Sequence, residues 1–485
     1  MRRNLLIAFA SVAALAAAAP VLAAPATPAA PAAKPATSKP AHAAHAATVA
    51  EPAPTCSGAE FTAITGGRIV TAGPAGEIGS GTVLICKGRI QAVGANVSVP
   101  AGAKVVDAKG AVVAPGFVAA DAGLAETEVG KDEDAAELGD FTAGPGDGTR
   151  DLSTQSATLT AAFDIQYALN PDSTVIPLAR LAGITRAVVT PEYGFGGRGG
   201  NAREALFAGQ AAVINLGQGG NMLVKPHVAM VLDLGESGAD HAGGSRNAAV
   251  IELKETLADV RAYMANRLSY EKNQTRPYAV SKADLEALIP VVEGKMPVLI
   301  GVNRASDIRL ALKLAQEEKI RIILDGVDEG WMVAGEIAAA HVPVIVNPTD
   351  DLPENFERLA ARMDNAAKLN AAGVEVTVAT TSENYRVREL RYLAGDAVAY
   401  GLPWEAALKA VTINPAKAFG VADRTGSLEA GKDADVVVWS GDPFEPLSQP
   451  VAIFIKGEAQ PLKSRQLELR DRYMDLNRPY PPAYH

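Results

Sequence analysis

The chain has 485 residues, is 48% hydrophobic and 5% aromatic, and carries a formal net charge of -10. That length accommodates a barrel with a satellite domain around a large core. The negative balance supplies no basic field for nucleic acid or anionic lipid, and beyond the N-terminal residues no apolar run is long enough to span a bilayer.

Residues 1–24 open with Arg2 and Arg3, continue through an apolar stretch from Leu5 to Leu22 and end on small residues at Ala23 and Ala24. This is the anatomy of a cleaved secretory signal, with an uncleaved anchor as the alternative, and it predicts an exported, periplasmic protein with no membrane span after cleavage. Residues 25–55 are almost all Ala, Pro, Thr and Lys, with His42 and His45 among them. Such a composition builds no core and predicts a disordered tether.

From 56 to 112, short β segments alternate with turn residues: Ala63 to Val70, Gly81 to Cys86, Arg89 to Val93 and Lys104 to Asp107. They form the N-terminal part of a small β domain. Cys56 and Cys86 are the only cysteines, and both fall in it. In an oxidising compartment they form either a structural disulfide or two inert buried thiols.

Residues 113–400 read as βα units, clearest from Pro297 to Val302, with a helix over 306–317 and a strand from Ile320 to Leu324. A helix over 333–340, a strand from Val342 to Val346, a helix over 356–371, a strand from Val374 to Ala379 and a helix over 385–400 follow. Ile308, Leu312 and Ala315 share one helical face, as a helix covering a barrel requires. Residues 401–460 add a helix and return to β structure through Val436 to Trp439 and Ile453 to Gly457, before a tail over 461–485. The expected fold class is α/β: a (β/α)8 TIM-like barrel inserted in a small β-sandwich domain formed by both ends of the chain.

Several stretches carry a resemblance. Ile64-Thr65-Gly66-Gly67-Arg68-Ile69, Ala410-Val411-Thr412-Ile413-Asn414-Pro415-Ala416-Lys417 and Gly426-Ser427-Leu428-Glu429-Ala430-Gly431 resemble the amidohydrolase superfamily, nearest its imidazolonepropionase-like exported branch. The resemblance implies metal-dependent hydrolysis of C–N bonds in cyclic amides or small peptides, with histidines holding the metal at the barrel mouth. It also implies that those ligands have been replaced. Asp121 and Gly123 stand where the first His-x-His pair is expected, Gly301 and Gly326 where single histidines are, and Thr381 where the catalytic Asp is. No metal ligand is assigned. Outside the tether and His485 the histidines are His227, His241 and His341, which make no conventional zinc centre.

Polar residues remain at the expected rim: Asp121, Asp325, Asp328, Glu329, Asp350 and Asp351. They are either a carboxylate site for one divalent cation or solvated loop acids. A buried Asp121 calls for a partner such as Arg304. The Gly-rich loop 190–201 either offers Arg198 and backbone amides to a ligand carboxylate or is an ordinary mobile loop. Asp121 is therefore the candidate catalytic residue, with Gly123, Arg198, Gly301, Arg304, Asp325, Gly326, Asp328 and Thr381 lining the pocket. Three readings follow: a catalytically silent binding or partner subunit, without cofactor, that takes an unknown small molecule and associates with itself or with an intact homologue; an active hydrolase using carboxylates around Asp121; and a structural envelope protein.

Overall fold

Two hydrogen-bonded sheets organise the chain in a computed structural model that describes residues 56–125, 159–193, 206–350, 352–380 and 386–474. The chain enters through β1 (Phe61–Val70), β2 (Glu77–Cys86), β3 (Arg89–Gly94), β4 (Lys104–Asp107) and β5 (Val112–Pro115). It then builds β6 (Phe117–Ala122), β7 (Ile184–Val189), β8 (Phe207–Asn215), β9 (Leu223–Asp233), β10 (Val298–Val302), β11 (Ile322–Gly326), β12 (Val344–Val346) and β13 (Val376–Val378). It returns through β14 (Val436–Trp439), β15 (Pro450–Ile455) and β16 (Glu458–Ala459).

The returning strands complete the first sheet, because β14 pairs antiparallel with β5. The sheet runs β16-β15-β14-β5-β1-β2-β3, with β4 sharing an edge of β1. It closes over a core of Ile64, Ile69, Val83, Ile85, Val436 and Phe454. The two ends of the sequence thus make one sheet domain around an inserted barrel.

The barrel strands follow chain order from β6 to β13. One departs from the expected βα repeat: β8 runs antiparallel to both β7 and β9. A glycine-rich turn, Leu216-Gly217-Gln218-Gly219-Gly220-Asn221-Met222, folds β8 straight back into β9, leaving no room for a crossover helix. Between β13 and β6 the seam is closed by the segment around the helix Ile413–Ala418. Val118 N donates to Val411 O at 2.8 Å, and Asn414 Nδ2 donates to Val376 O at 2.7 Å. Ala120, Val188, Ala229, Leu299, Ile323 and Ile345 fill the barrel interior.

Helix Ala305–Glu318 packs as expected through Ile308, although its buried seam runs over Ala311 and Leu314 while Leu312 and Ala315 stay half-buried. The helix expected over 356–371 is shorter, Asn365–Ala371. Residues 352–360 instead cross the barrel mouth as a strap, because buried acids bind its groups. Glu329 Oε1 accepts from Ala360 N at 3.1 Å, and Glu357 Oε1 accepts from Glu236 N at 2.7 Å.

Cys56 and Cys86 are disulfide-bonded across a sequence separation of 30. The bridge pins the entry of the chain to β2, next to the Phe61–Cys86 register pair. Loop closure of this length stabilises by about 3–4 kcal/mol in the chain-entropy model. Reduction, or a Cys56→Ser/Cys86→Ser double variant, is expected to lower the melting temperature in calorimetry without changing the barrel's far-UV signature.

Barrel and sheet domain are joined through a buried guanidinium. Arg186, on β7, is 0% exposed; its Nε reaches Asp435 Oδ2 at 2.6 Å and its Nη2 reaches Asp433 Oδ2 at 2.9 Å. Thr425 Oγ1 and Lys456 N also donate to Asp435, and Arg424 donates to Asp433. Nearby, Phe117 stacks on Trp439 with centroids 5.5 Å apart. Gly183 gives that indole its seat: it holds φ +83°, and a Cβ there would lie 2.3 Å from Trp439. Arg186→Ala strands two buried carboxylates and is expected to cost about 3–5 kcal/mol in denaturant unfolding.

Candidate functional site

Strand alternation decides which residues look into the mouth. Leu299, Ile323 and Val231 face the interior, so the inward positions one pleat higher are Gly301, Asp325 and Asp233. These three are in register across adjacent strands, with Gly301 paired to Asp233 on one side and to Asp325 on the other. Gly301 thus leaves a gap flanked by two carboxylates. A Cβ on it would lie 3.1 Å from Asp233 Oδ2, so the aspartate already occupies the adjoining space.

Gly326 lies on the opposite parity and does not face the mouth. It holds φ +84°, and a Cβ there would lie 2.1 Å from Asn303 Oδ1. The inward position at this strand end belongs to Asp325, one residue earlier than the histidine position implied by the resemblance.

Asp121, the penultimate residue of β6, holds φ 48°, a left-handed conformation that is uncommon outside glycine and marks a constrained position. Its Oδ1 accepts from Thr190 Oγ1 at 2.6 Å. The expected partnership with Arg304 does not form: Arg304 sits at the start of the helix Ala305–Glu318 and donates to Asp307 Oδ1 at 2.8 Å instead. Gly123 is buried just beyond the strand. Arg198, Thr381 and Asp351 lie outside the described residues.

Asp233 and Tyr193 were not anticipated. Asp233 ends the apolar run of β9, and its Oδ1 accepts from Gly235 N at 2.7 Å. Tyr193 Oη accepts from Asp233 N at 2.6 Å and donates to Leu206 O at 3.1 Å. The Tyr193 ring stacks on His241 with centroids 3.9 Å apart, which brings this histidine to the mouth region. A carboxylate directly after the buried run Val228 to Leu232 was the available signal for Asp233. The other two histidines lie elsewhere: His227 Nε2 is 2.7 Å from Asp164 Oδ2, and His341 caps the helix Ala334–Ala340 in a left-handed conformation.

The mouth is electrostatically unusual. Burial pushes Asp233 up to about 6, against hydrogen bonding from Gly235 N. Burial, followed by the charge of Asp121, holds Asp325 well above the usual carboxylate range. Under the strap, burial raises Asp328 to about 7 although Arg358 opposes the shift. Arg358 Nε is 2.9 Å from Asp328 Oδ2, but neither atom has a hydrogen-bond partner, so the contact is an off-axis ion pair. Arg246 ties Glu357 to Asp307, fastening the strap to the helix starts around it. Among the described residues, no three His, Cys, Asp or Glu side chains are grouped to hold a metal ion.

An inserted barrel with polar groups gathered at the carboxyl ends of its strands, closed on a sheet built from both chain ends, defines a TIM-like barrel protein. Residues 313–462 match the Amidohydrolase family. An amidohydrolase from Thermotoga maritima superposes with a TM-score of 0.69 at 24% identity, covering 82% of this chain and 99% of that one. Molinate hydrolase gives 0.50 at 18% identity, covering 83% and 95% of the two chains. A Xaa-Pro dipeptidase with bound methionine gives 0.51 at 15%, covering 82% and 99%. Amidohydrolase tasK of Hapsidospora irregularis is 49% identical over 61 residues, which is 13% of this chain and 6% of that relative's length.

Because Asp233 and Asp328 titrate above their unfolded value of 3.8, the fold binds more protons than the unfolded chain between about pH 4 and 7. Their contribution therefore favours the fold at low pH and is lost as pH rises through that window. Asp233→Asn keeps the Oδ1 acceptor and removes the charge. It is expected to raise the melting temperature at about pH 8, by up to about 3 kcal/mol of stability, and to leave it unchanged at about pH 4. Calorimetry across that range checks the sign.

Proposed function

We propose that this chain is an exported, periplasmic protein of the imidazolonepropionase-like branch that no longer performs metal-dependent hydrolysis and acts as a binding or partner subunit. It holds a small ligand at its barrel mouth and works self-associated or beside an intact homologue. The observation that carries this reading is the in-register row Asp233, Gly301, Asp325. The family's metal needs imidazole donors on these strand ends, whereas the residues present offer a gap bordered by carboxyl groups that burial drives toward the protonated, non-ligating form. Restoring a side chain at Gly326 meets Asn303 at 2.1 Å. The described donor set does not fit the metal, and no reaction step is routed through one.

What the mouth does offer is hydrogen bonding in a confined space. A protonated Asp325 donates, Asp233 changes state near pH 6, and the Thr190–Asp121 pair orients an acceptor. Ligands with both donors and acceptors, such as cyclic amides, suit that set.

A second reading keeps catalysis: one ionised aspartate takes a proton from water as its oxygen attacks a carbonyl carbon, and the protonated neighbour gives its proton to the leaving nitrogen. A carboxyl group, Asp325, that burial and the charge of the neighbouring Asp121 hold toward the protonated form favours it.

Elemental analysis of the purified chain, made without chelator or affinity histidines, separates these readings from metal catalysis, and Asp121→Ala is the control. The binding reading expects no stoichiometric metal and no turnover of cyclic amides or dipeptides. Turnover without metal that Asp121→Ala abolishes establishes the carboxylate hydrolase. Stoichiometric metal lost in Asp121→Ala overturns the proposal.

A further inference from the structure

At the end of the barrel opposite the mouth, a groove of about 820 Å³ opens between the helices Ala305–Glu318 and Ala334–Ala340, over the beginnings of β10, β11 and β12. Its volume is in the range of small-molecule sites. Leu312, Ile323 and Ala339 contribute apolar lining, while Lys313, Arg321 and His341 carry the polar rim.

The charges around it are unevenly satisfied. Glu336 is held by Arg309 at 2.8 Å, and Glu375 by Lys417 at 2.6 Å. Glu317 takes Lys254 at 2.9 Å, with Lys313 farther away at 3.7 Å. The neighbouring acids are thus each engaged by another cation, and Arg321 and His341 are left exposed without a side-chain hydrogen bond or ion pair among the described residues. Both line the groove at the entries to neighbouring strands: Arg321 directly precedes β11, and His341 caps the helix Ala334–Ala340 that leads into β12. A chain of net charge -10 therefore concentrates two uncompensated donors beside an apolar cleft, and Arg in particular suits a planar or tetrahedral oxyanion.

We propose that this groove binds a small amphiphile with one anionic head, a carboxylate or a phosphate, on Arg321 and His341, and an apolar body laid along Leu312 and Ala339. The site is separate from the barrel mouth, and neither its ligand nor its geometry depends on the reading given to Asp121.

Isothermal titration of the full chain with octanoate and with octyl phosphate tests it. Saturable binding of at least one is expected, and which one binds identifies the head. Arg321→Ala and His341→Ala are each expected to weaken it by about tenfold. Ala339→Phe, at an exposed helical position, is expected to abolish it by filling the groove, with circular dichroism unchanged. Saturation by neither amphiphile, or binding that survives both Arg321→Ala and Ala339→Phe, overturns the proposal.

Discussion

The architecture depends on Arg186. It lies on the second strand of the barrel and is wholly buried, and its two aspartate partners lie nearly 250 positions later, beside the strand that returns to the sheet domain. A guanidinium taken out of water is tolerated when its charge is paired, as it is here through Nε and Nη2. Asp433 and Asp435 meet these two donors and are themselves held by Arg424, Thr425 and a backbone amide. The apolar seat of Trp439 against Phe117 and Gly183 forms around the same junction. This network sets the base of the barrel against the sheet, and the strand ends at the mouth inherit their positions from it.

At the mouth the same economy produces a different outcome. Carboxyl groups from three strands share a confined volume, and among the described residues Arg304 and Arg246 pair with Asp307 while Arg358 pairs with Asp328 beneath the strap. Burial then raises the proton affinity of Asp233 and Asp325. The site is less stable than an apolar mouth would be, and functional sites commonly retain such a cost. The strap across it is fixed by buried acids accepting backbone amides, so lid and site are built from the same residue type.

Much of the fold was legible in the sequence because hydrophobic periodicity is local. The strands of the sheet domain and the helix Ala305–Glu318 follow from alternation and turn residues that neighbouring positions supply, and β segments at both chain ends pointed to the one sheet that the pairing of β14 with β5 closes. Asp121 and Asp325 were legible as acids at strand ends for the same reason. Not anticipated were the reversal of β8, which the adjacent glycine-rich turn encodes locally, and the short helix at Asn365–Ala371 and the strap, which partners distant in sequence decide.

The division is sharpest in one strand. Sequence alone determined that β11 ends in an aspartate followed by a glycine, and that no histidine stands there. Only the tertiary structure decided that Asp325 faces the mouth while Gly326 turns away toward Asn303, and that Asp233 completes the row across Gly301. Side chains alternate with a period of two, so a shift of one residue changes the face. Which face is the interior is fixed by the packing of Leu299 and Ile323 inside a nearly closed barrel, a property of all its strands together.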